Sequence, residues 1–243
     1  MLASRAPAEP VQDDGGLVVR TMAFEGDSAI VARADMRRVR LRMLSRGDGI
    51  RSYAQGGDVL RRRGERMLLA TNGGLFADAP IGLHVEDGRV VRPLNLDTSP
   101  PPGQLPGNFY YLPNAVLYQD RAGAVHLRDS RRMRGRTAEV RDGLQSGPAL
   151  LLDGQMHRVA RPPNRGVAHA NRSAACVTGP HELVIVFVPR PSTFPQLARF
   201  LSRLGCRDAV FLDGNVPGLL VPGRIDLPPS SFEGILTLTV PTR

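Results

Sequence analysis

Tryptophan and lysine are both absent from this 243-residue chain, and aromatic residues make up only 5% of it. Without lysine, all 32 basic side chains are arginine, and the formal net charge is +9. A bias so complete has the look of a GC-rich genome, yet it has a chemical consequence. The planar guanidinium can hold two phosphate oxygens at once, which an ammonium cannot. The scarcity of aromatics limits what the positive charge can bind. Neither Arg61-Arg62-Arg63 nor the group Arg131, Arg132, Arg134 and Arg136 has the interleaved rings on which single-stranded bases stack. No helix-turn-helix or zinc-finger pattern accompanies them. Nucleic acid is therefore not the expected partner, and polyanion binding through these clusters stands behind other readings.

Cysteine is nearly absent as well. Cys176 and Cys206 are the only two, and no Cys-x-x-Cys or His-x-x-x-His spacing turns them into a metal site. They read as two buried thiols or as one disulfide, the second requiring an oxidising compartment. No metal or cofactor is expected. No apolar run approaches the ~20 residues a membrane-spanning helix needs. Met1 to Gly16, rich in Ala, Pro, Asp and Gly, lacks the apolar centre of a signal peptide and reads as a flexible tail.

What is present is a series of short apolar runs separated by Gly, Pro and Asp. Ala29–Ala34, Val39–Leu44, Met67–Thr71, Ile81–Val85, Ala115–Tyr118, Ala149–Leu152, Ala174–Val177, Leu183–Val188, Ala209–Leu212 and Ile235–Val240 read as strands. Asp87-Gly88 and Asp153-Gly154 follow two of these runs and predict tight hairpins, because such turns need backbone φ > 0. The best helix is Thr193 to Leu204, with Phe194, Leu197, Ala198, Leu201 and Leu204 on one face. Ser192 or Thr193 would cap it, Pro195 suits its first turn and Gly205 ends it. A shorter helix is predicted over Gly57 to Arg63. These elements predict an α+β fold in one domain, residues 17–243, dominated by mixed or antiparallel sheet with one or two packed helices. The longest irregular segments are Ser99 to Pro106 and Arg161 to Ala170.

Polar residues gather at strand ends. Thr71-Asn72-Gly73-Gly74-Leu75-Phe76 follows one strand and Gln145-Ser146-Gly147-Pro148 precedes another. Asn171-Arg172-Ser173 opens a third, and Phe211-Leu212-Asp213-Gly214 closes a fourth. Each alone is weak, since Asn-Gly and Asp-Gly are turn dipeptides first. Their order is more specific. Asn-Gly-Gly-x-Phe, then Pro80-x-Gly82-Leu83 with Asp87-Gly88, then Gln145-Ser146-Gly147-Pro148-x-Leu150 with Asp153-Gly154, then Arg172-Ser173-Ala174, a helix and Leu212-Asp213-Gly214 together resemble the phosphodiester glycosidase family. The resemblance runs from about Met67 to Val221.

That resemblance implies hydrolysis of a sugar-1-phosphodiester, on a glycoconjugate or envelope polysaccharide, by a secreted or periplasmic bacterial protein. It implies that Asn72, Gly73, Gln145, Ser146, Gly147, Arg172, Asp213 and Gly214 line one pocket. A leaving phosphate is already a stable anion and needs charge compensation more than a proton. Arg172 is the candidate for that, and Asp213 for orienting the attack on the anomeric carbon. Asn72 and Gln145 would bind sugar hydroxyls or phosphate. Ser146 is not placed in a Gly-x-Ser-x-Gly elbow. His84, alternating with apolar neighbours, reads as structural or surface, while His157 and His169 flank a loop that can approach the pocket. One departure stands out: where the family continues with Gly and Ser, this chain has Asn215 and Pro217. Asn accommodates φ > 0, so the turn is expected to persist, but Pro217 offers neither hydroxyl nor N–H. This opens a second reading, a family member that binds glycan or phosphate without turnover.

Overall fold

The short β-rich runs pair into three sheets, and every strand pairing among the described residues is antiparallel. A computed structural model describes residues 13–103, 107–160 and 171–242. The largest sheet has eight strands, in the order Asp13–Asp14, Leu17–Phe24, Asp27–Asp35, Glu182–Val188, Arg172–Gly179, Asp208–Asp213, Ala149–Leu152 and Gln155–Met156. A five-stranded sheet is ordered Arg89–Arg92, His84–Glu86, Val140–Ser146, Ala115–Asp120 and Val125–Asp129. The third sheet is ordered Ile225–Leu227, Leu219–Val221, Glu65–Asn72, Gly234–Pro241 and Arg40–Ser45.

The core lies where these sheets face one another. Leu41, Leu69, Leu117, Leu144, Ala175, Ile185, Val210 and Leu236 come from all three and form one buried cluster. Helix α2, Phe194–Arg203, lays Phe194, Leu197, Ala198 and Leu201 against the opposite face of the large sheet. Helix α1, Tyr53–Arg62, covers the third sheet with Tyr53 and Leu60. Both expected Asp-Gly hairpins form, with Asp87 at φ 45° and Asp153 at φ 52°, and α2 carries the capping box that Thr193 and Gln196 provide.

Three expectations change. Helix α1 starts at Tyr53 rather than Gly57, because Ser52 caps it by accepting from the Gln55 N–H. The helix-breaking Gly56 is tolerated because it sits against Leu44, Ile235 and Met67, with little room for a side chain. The strand expected over Ile81–Val85 is instead His84–Glu86. Leu83 N–H is drawn out of the ladder by the Gln145 side chain, and Ile81 N–H bonds the Leu75 carbonyl. Within the expected N-terminal tail, Asp13 and Asp14 pair with Val18 and Leu17, so the sheet includes part of that segment. Its first twelve residues, like 104–106 and 161–170 of the two long loops, lie outside the described residues.

Cys176 and Cys206 form a disulfide with Cα atoms 5.7 Å apart, resolving the choice between thiols and a bridge. Four of the clustered arginines have acidic partners nearby. Arg131 lies 2.5 Å from Asp129, Arg132 3.2 Å from Asp153, Arg136 2.6 Å from Glu139 and Arg61 2.8 Å from Asp58. No helix among the described residues is long and apolar enough to cross a membrane.

Candidate active site

Four strand ends converge where the three sheets meet. The Glu65–Asn72 strand ends on Asn72, the Val140–Ser146 strand on Ser146, and the Asp208–Asp213 strand on Asp213, while Arg172 begins the strand beside Asp213. Ser173 is the register partner of Asp213 and its hydroxyl bonds the Asp213 carbonyl at 3.4 Å. Ser146 Oγ reaches the Leu212 carbonyl at 3.4 Å. Strand pairing thus sets Arg172 beside Asp213, and side-chain bonds between sheets bring Asn72 and Ser146 to the same strand end.

Asp213 is held from several sides. Asn72 Nδ2 donates to its Oδ2 at 2.5 Å, and the amides of Asn215 and Val216 donate to its Oδ1 at 3.0 and 3.3 Å. Asn72 also bonds the Val216 carbonyl at 3.0 Å, and its Oδ1 accepts from the Tyr53 hydroxyl. Tyr53, Asn72 and Asp213 are all buried. Burial, with the Asp213 charge adding to it, pushes the Tyr53 hydroxyl far above its ordinary range, so it stays a donor. Because Asn72 turns an N–H toward Asp213 and its oxygen toward Tyr53, the two residues bond each other rather than present paired oxygens. Asn215 does not need the left-handed region: its φ is not positive. The turn survives the replacement without calling on asparagine's special tolerance, and the exposed Asn215 and buried Pro217 both fit the loop.

Arg172 is built differently. Its guanidinium lies 4.4 Å from the Phe194 ring centroid and 5.4 Å from that of Phe211, and its Nε donates to the Ser192 carbonyl. Cation–π contact and that bond offset part of its desolvation. Burial still pulls its pKa down to about 10, which leaves it charged at neutral pH. Gly214 is glycine for steric reasons, since a Cβ there would stand 2.8 Å from Phe211 Cζ and 3.3 Å from Arg172 Nη1. The Ser192 hydroxyl beside this group is buried and has no hydrogen-bond partner among the described residues.

The other expected residues have mostly structural contacts. Gln145 Oε1 accepts from the amides of Leu83 at 3.1 Å and Asn95 at 3.0 Å, and its Nε2 donates to the Asn95 carbonyl at 2.6 Å. Gln145 therefore clamps the 83–95 segment. Gly73 donates to the Gly234 carbonyl at 2.8 Å and packs on that neighbouring strand. At Gly147 a Cβ would collide with Asn114 Oδ1. His84 is fully buried, with Nε2 2.9 Å from Glu86 Oε1, which excludes the surface alternative. His157 lines a cavity with Asn95 and Asn114, and His169 lies outside the described residues. Sequence reasoning missed Tyr53, Asn114 and the aromatic pair around Arg172. Only Phe211, inside the Phe-Leu-Asp-Gly motif, carried a nearby signal.

Comparison with known proteins bears on family and fold. The family model described as phosphodiester glycosidase matches residues 65–225. The catalytic domain of zebrafish N-acetylglucosamine-1-phosphodiester alpha-N-acetylglucosaminidase, auto-inhibited by its pro-peptide, is similar in structure with a TM-score of 0.63. Identity is 14%, covering 98% of this chain and 87% of that one. A hypothetical protein from Synechocystis has a TM-score of 0.58 at 14% identity, covering 97% of this chain and 65% of that one. No curated protein matches the sequence. At such identity the structural likenesses establish the fold.

Proposed function

The chain belongs to the phosphodiester glycosidase family, and from that premise we propose that it hydrolyses a sugar-1-phosphodiester on a glycoconjugate or envelope polysaccharide. The observation that carries the reading is the desolvated Arg172 guanidinium, caged by Phe194 and Phe211 and set beside Gly214, one residue from Asp213. Water barely screens a cation in that position, so it stabilises charge developing on a departing phosphate strongly. Asp213, held in one orientation by Asn72 and two backbone amides, directs the attack on the anomeric carbon. The phosphate leaves as an anion, so no strong general acid is needed. The buried disulfide supports maturation in an oxidising compartment, as a secreted or periplasmic protein requires.

A second reading, binding without turnover, is favoured by one observation. Asp213 is only 3% exposed and already accepts three intramolecular hydrogen bonds. The test is hydrolysis of a panel of sugar-1-phosphodiesters, nucleotide sugars included, by the unaltered protein and by Arg172→Ala and Asp213→Ala. Turnover that falls by about 10²–10³ in Arg172→Ala, with folding intact, is the expected result. Failure on every substrate, with a measurable affinity for one of them, establishes the binder instead.

A further inference from the structure

Asn215 and Val216 donate their backbone N–H groups to Asp213 Oδ1 at 3.0 and 3.3 Å, and the Asn72 side chain donates to Oδ2. Successive amides on one carboxylate oxygen make an Asx turn, which fixes residues 213–216 against the carboxylate. Among these partners, Asn72 is fully buried and Val216 carries an apolar side chain. Asn215 joins exposure to a polar side chain, and its carboxamide makes no hydrogen bond among the described residues. A carbonyl acceptor and an amide donor are thus unspent beside the carboxylate.

Covalent geometry bounds how far that side chain stands from the carboxylate. The Asn215 nitrogen is 3.0 Å from Asp213 Oδ1. Within a residue N and Cβ are about 2.5 Å apart by standard bond lengths, so Cβ lies within about 5.5 Å of that oxygen. The same turn borders the guanidinium, because a Cβ at Gly214 would stand 3.3 Å from Arg172 Nη1. Asn215 is therefore an exposed polar residue on one short turn with both charged groups. Its φ is not positive, so the backbone there does not require asparagine.

A carboxamide has no charge, so it neither captures nor repels a phosphate, but it donates and accepts at once. That suits a hydroxyl or an acylamino group. With the anomeric carbon at Asp213, the nearest such group on a hexose is the substituent of the adjoining ring carbon, C2. The geometry points to Asn215 as a specificity-determining residue whose carboxamide hydrogen-bonds the C2 hydroxyl or acylamino group of the sugar. This assignment rests on the reading of Asp213 as the group that directs attack on the anomeric carbon.

Calorimetric titration of the full chain and of Asn215→Ala tests it. The ligands are glucose 1-phosphate, mannose 1-phosphate, N-acetylglucosamine 1-phosphate, 2-deoxyglucose 1-phosphate and inorganic phosphate. Loss of the contact should weaken the tightest C2-substituted ligand about three- to tenfold and leave 2-deoxyglucose 1-phosphate and inorganic phosphate within about twofold. The urea midpoint of Asn215→Ala should match that of the unaltered protein. Equal weakening of every ligand, or of none, overturns the assignment. So does a lowered midpoint, which would assign the carboxamide to the fold. Hydrolysis of the corresponding diesters, followed in parallel, separates the two readings. The KM of the preferred diester should rise by the same factor with kcat nearly unchanged. Binding that depends on Asn215, with no hydrolysis of any diester by the unaltered protein, removes the hydrolase and retains the contact. Hydrolysis with KM and affinity unmoved in Asn215→Ala retains the hydrolase and removes the contact. An unaltered protein that neither binds nor hydrolyses any of them removes both.

Discussion

Tyr53, Asn72 and Asp213 form a relay in which each side chain fixes the next. The phenol donates to the Asn72 oxygen, and the Asn72 amide donates to Asp213 and to the Val216 carbonyl. Removing the phenol oxygen leaves a buried amide oxygen without a donor. Tyr53→Phe is therefore expected to lower stability by about 1–3 kcal/mol, read from urea unfolding. Its ring still packs on Phe232, so the fold persists. With Asp213 less firmly oriented, kcat should fall more than KM rises, a split that lost packing alone does not produce. Because the phenol pKa is raised out of the working range, the pH–rate profile of the proposed hydrolysis by the unaltered protein should show no tyrosine limb.

Helix α2 links local sequence to the phosphate side of the site. Thr193 Oγ1 accepts from the Gln196 N–H at 3.3 Å and Gln196 Oε1 accepts from the Thr193 N–H at 2.9 Å, which fixes where the helix begins. Phe194 then sits on Arg172, and the Ser192 carbonyl receives its Nε. After the other end of the helix, Cys206 is bonded to Cys176 in the strand that Arg172 opens. The bridge closes a loop with a sequence separation of 30. Loop closure of that length stabilises a fold by about 3–4 kcal/mol in the chain-entropy account. Urea midpoints measured with and without reductant should differ accordingly. Because Cys176 and Cys206 are buried, reduction should require prior loosening of the native state.

At the scale of the molecule, the sheets are joined by a buried charge cluster as well as by apolar packing. Arg42 bonds Glu65 within the third sheet and reaches Asp142 of the five-stranded sheet at 2.9 Å. Burial alone would raise the Glu65 pKa, but Arg42 and Thr239 outweigh it and hold the carboxyl below its ordinary value of 4.5. Asp142 goes the other way, because its burial outweighs the bonds from Met43, Asp87 and Arg42. Glu65 thus contributes stability that is present above about pH 4.5 and lost as pH falls through its depressed pKa. Asp142 carries a cost at neutral pH that is relieved as pH falls through its raised pKa. Unfolding midpoints measured across acid pH should fall less steeply in Glu65→Gln and more steeply in Asp142→Asn than in the unaltered protein.

What the amino-acid order determined by itself is local. The hairpins at Asp87-Gly88 and Asp153-Gly154, the capped helix α2 and the succession of strand-end motifs all depend on residues a few positions apart, and all were legible. The Val140–Ser146 strand was not, because Arg141, Asp142 and Gly143 break its apolar pattern. Asp142 is buried there only because Arg42, 100 positions away, meets it. The site divides in the same way. The family resemblance carried by the motifs pointed to Asn72, Arg172 and Asp213, but the bonds that orient them come from partners up to 159 positions apart in the chain. The tertiary structure alone placed Tyr53 on Asn72, Asn114 against Gly147 and Cys176 on Cys206, and it turned Gln145 into a clamp. Short-range propensity carries no information about which distant strand becomes a neighbour, and that choice decides which polar group is paired and which is left open to a ligand.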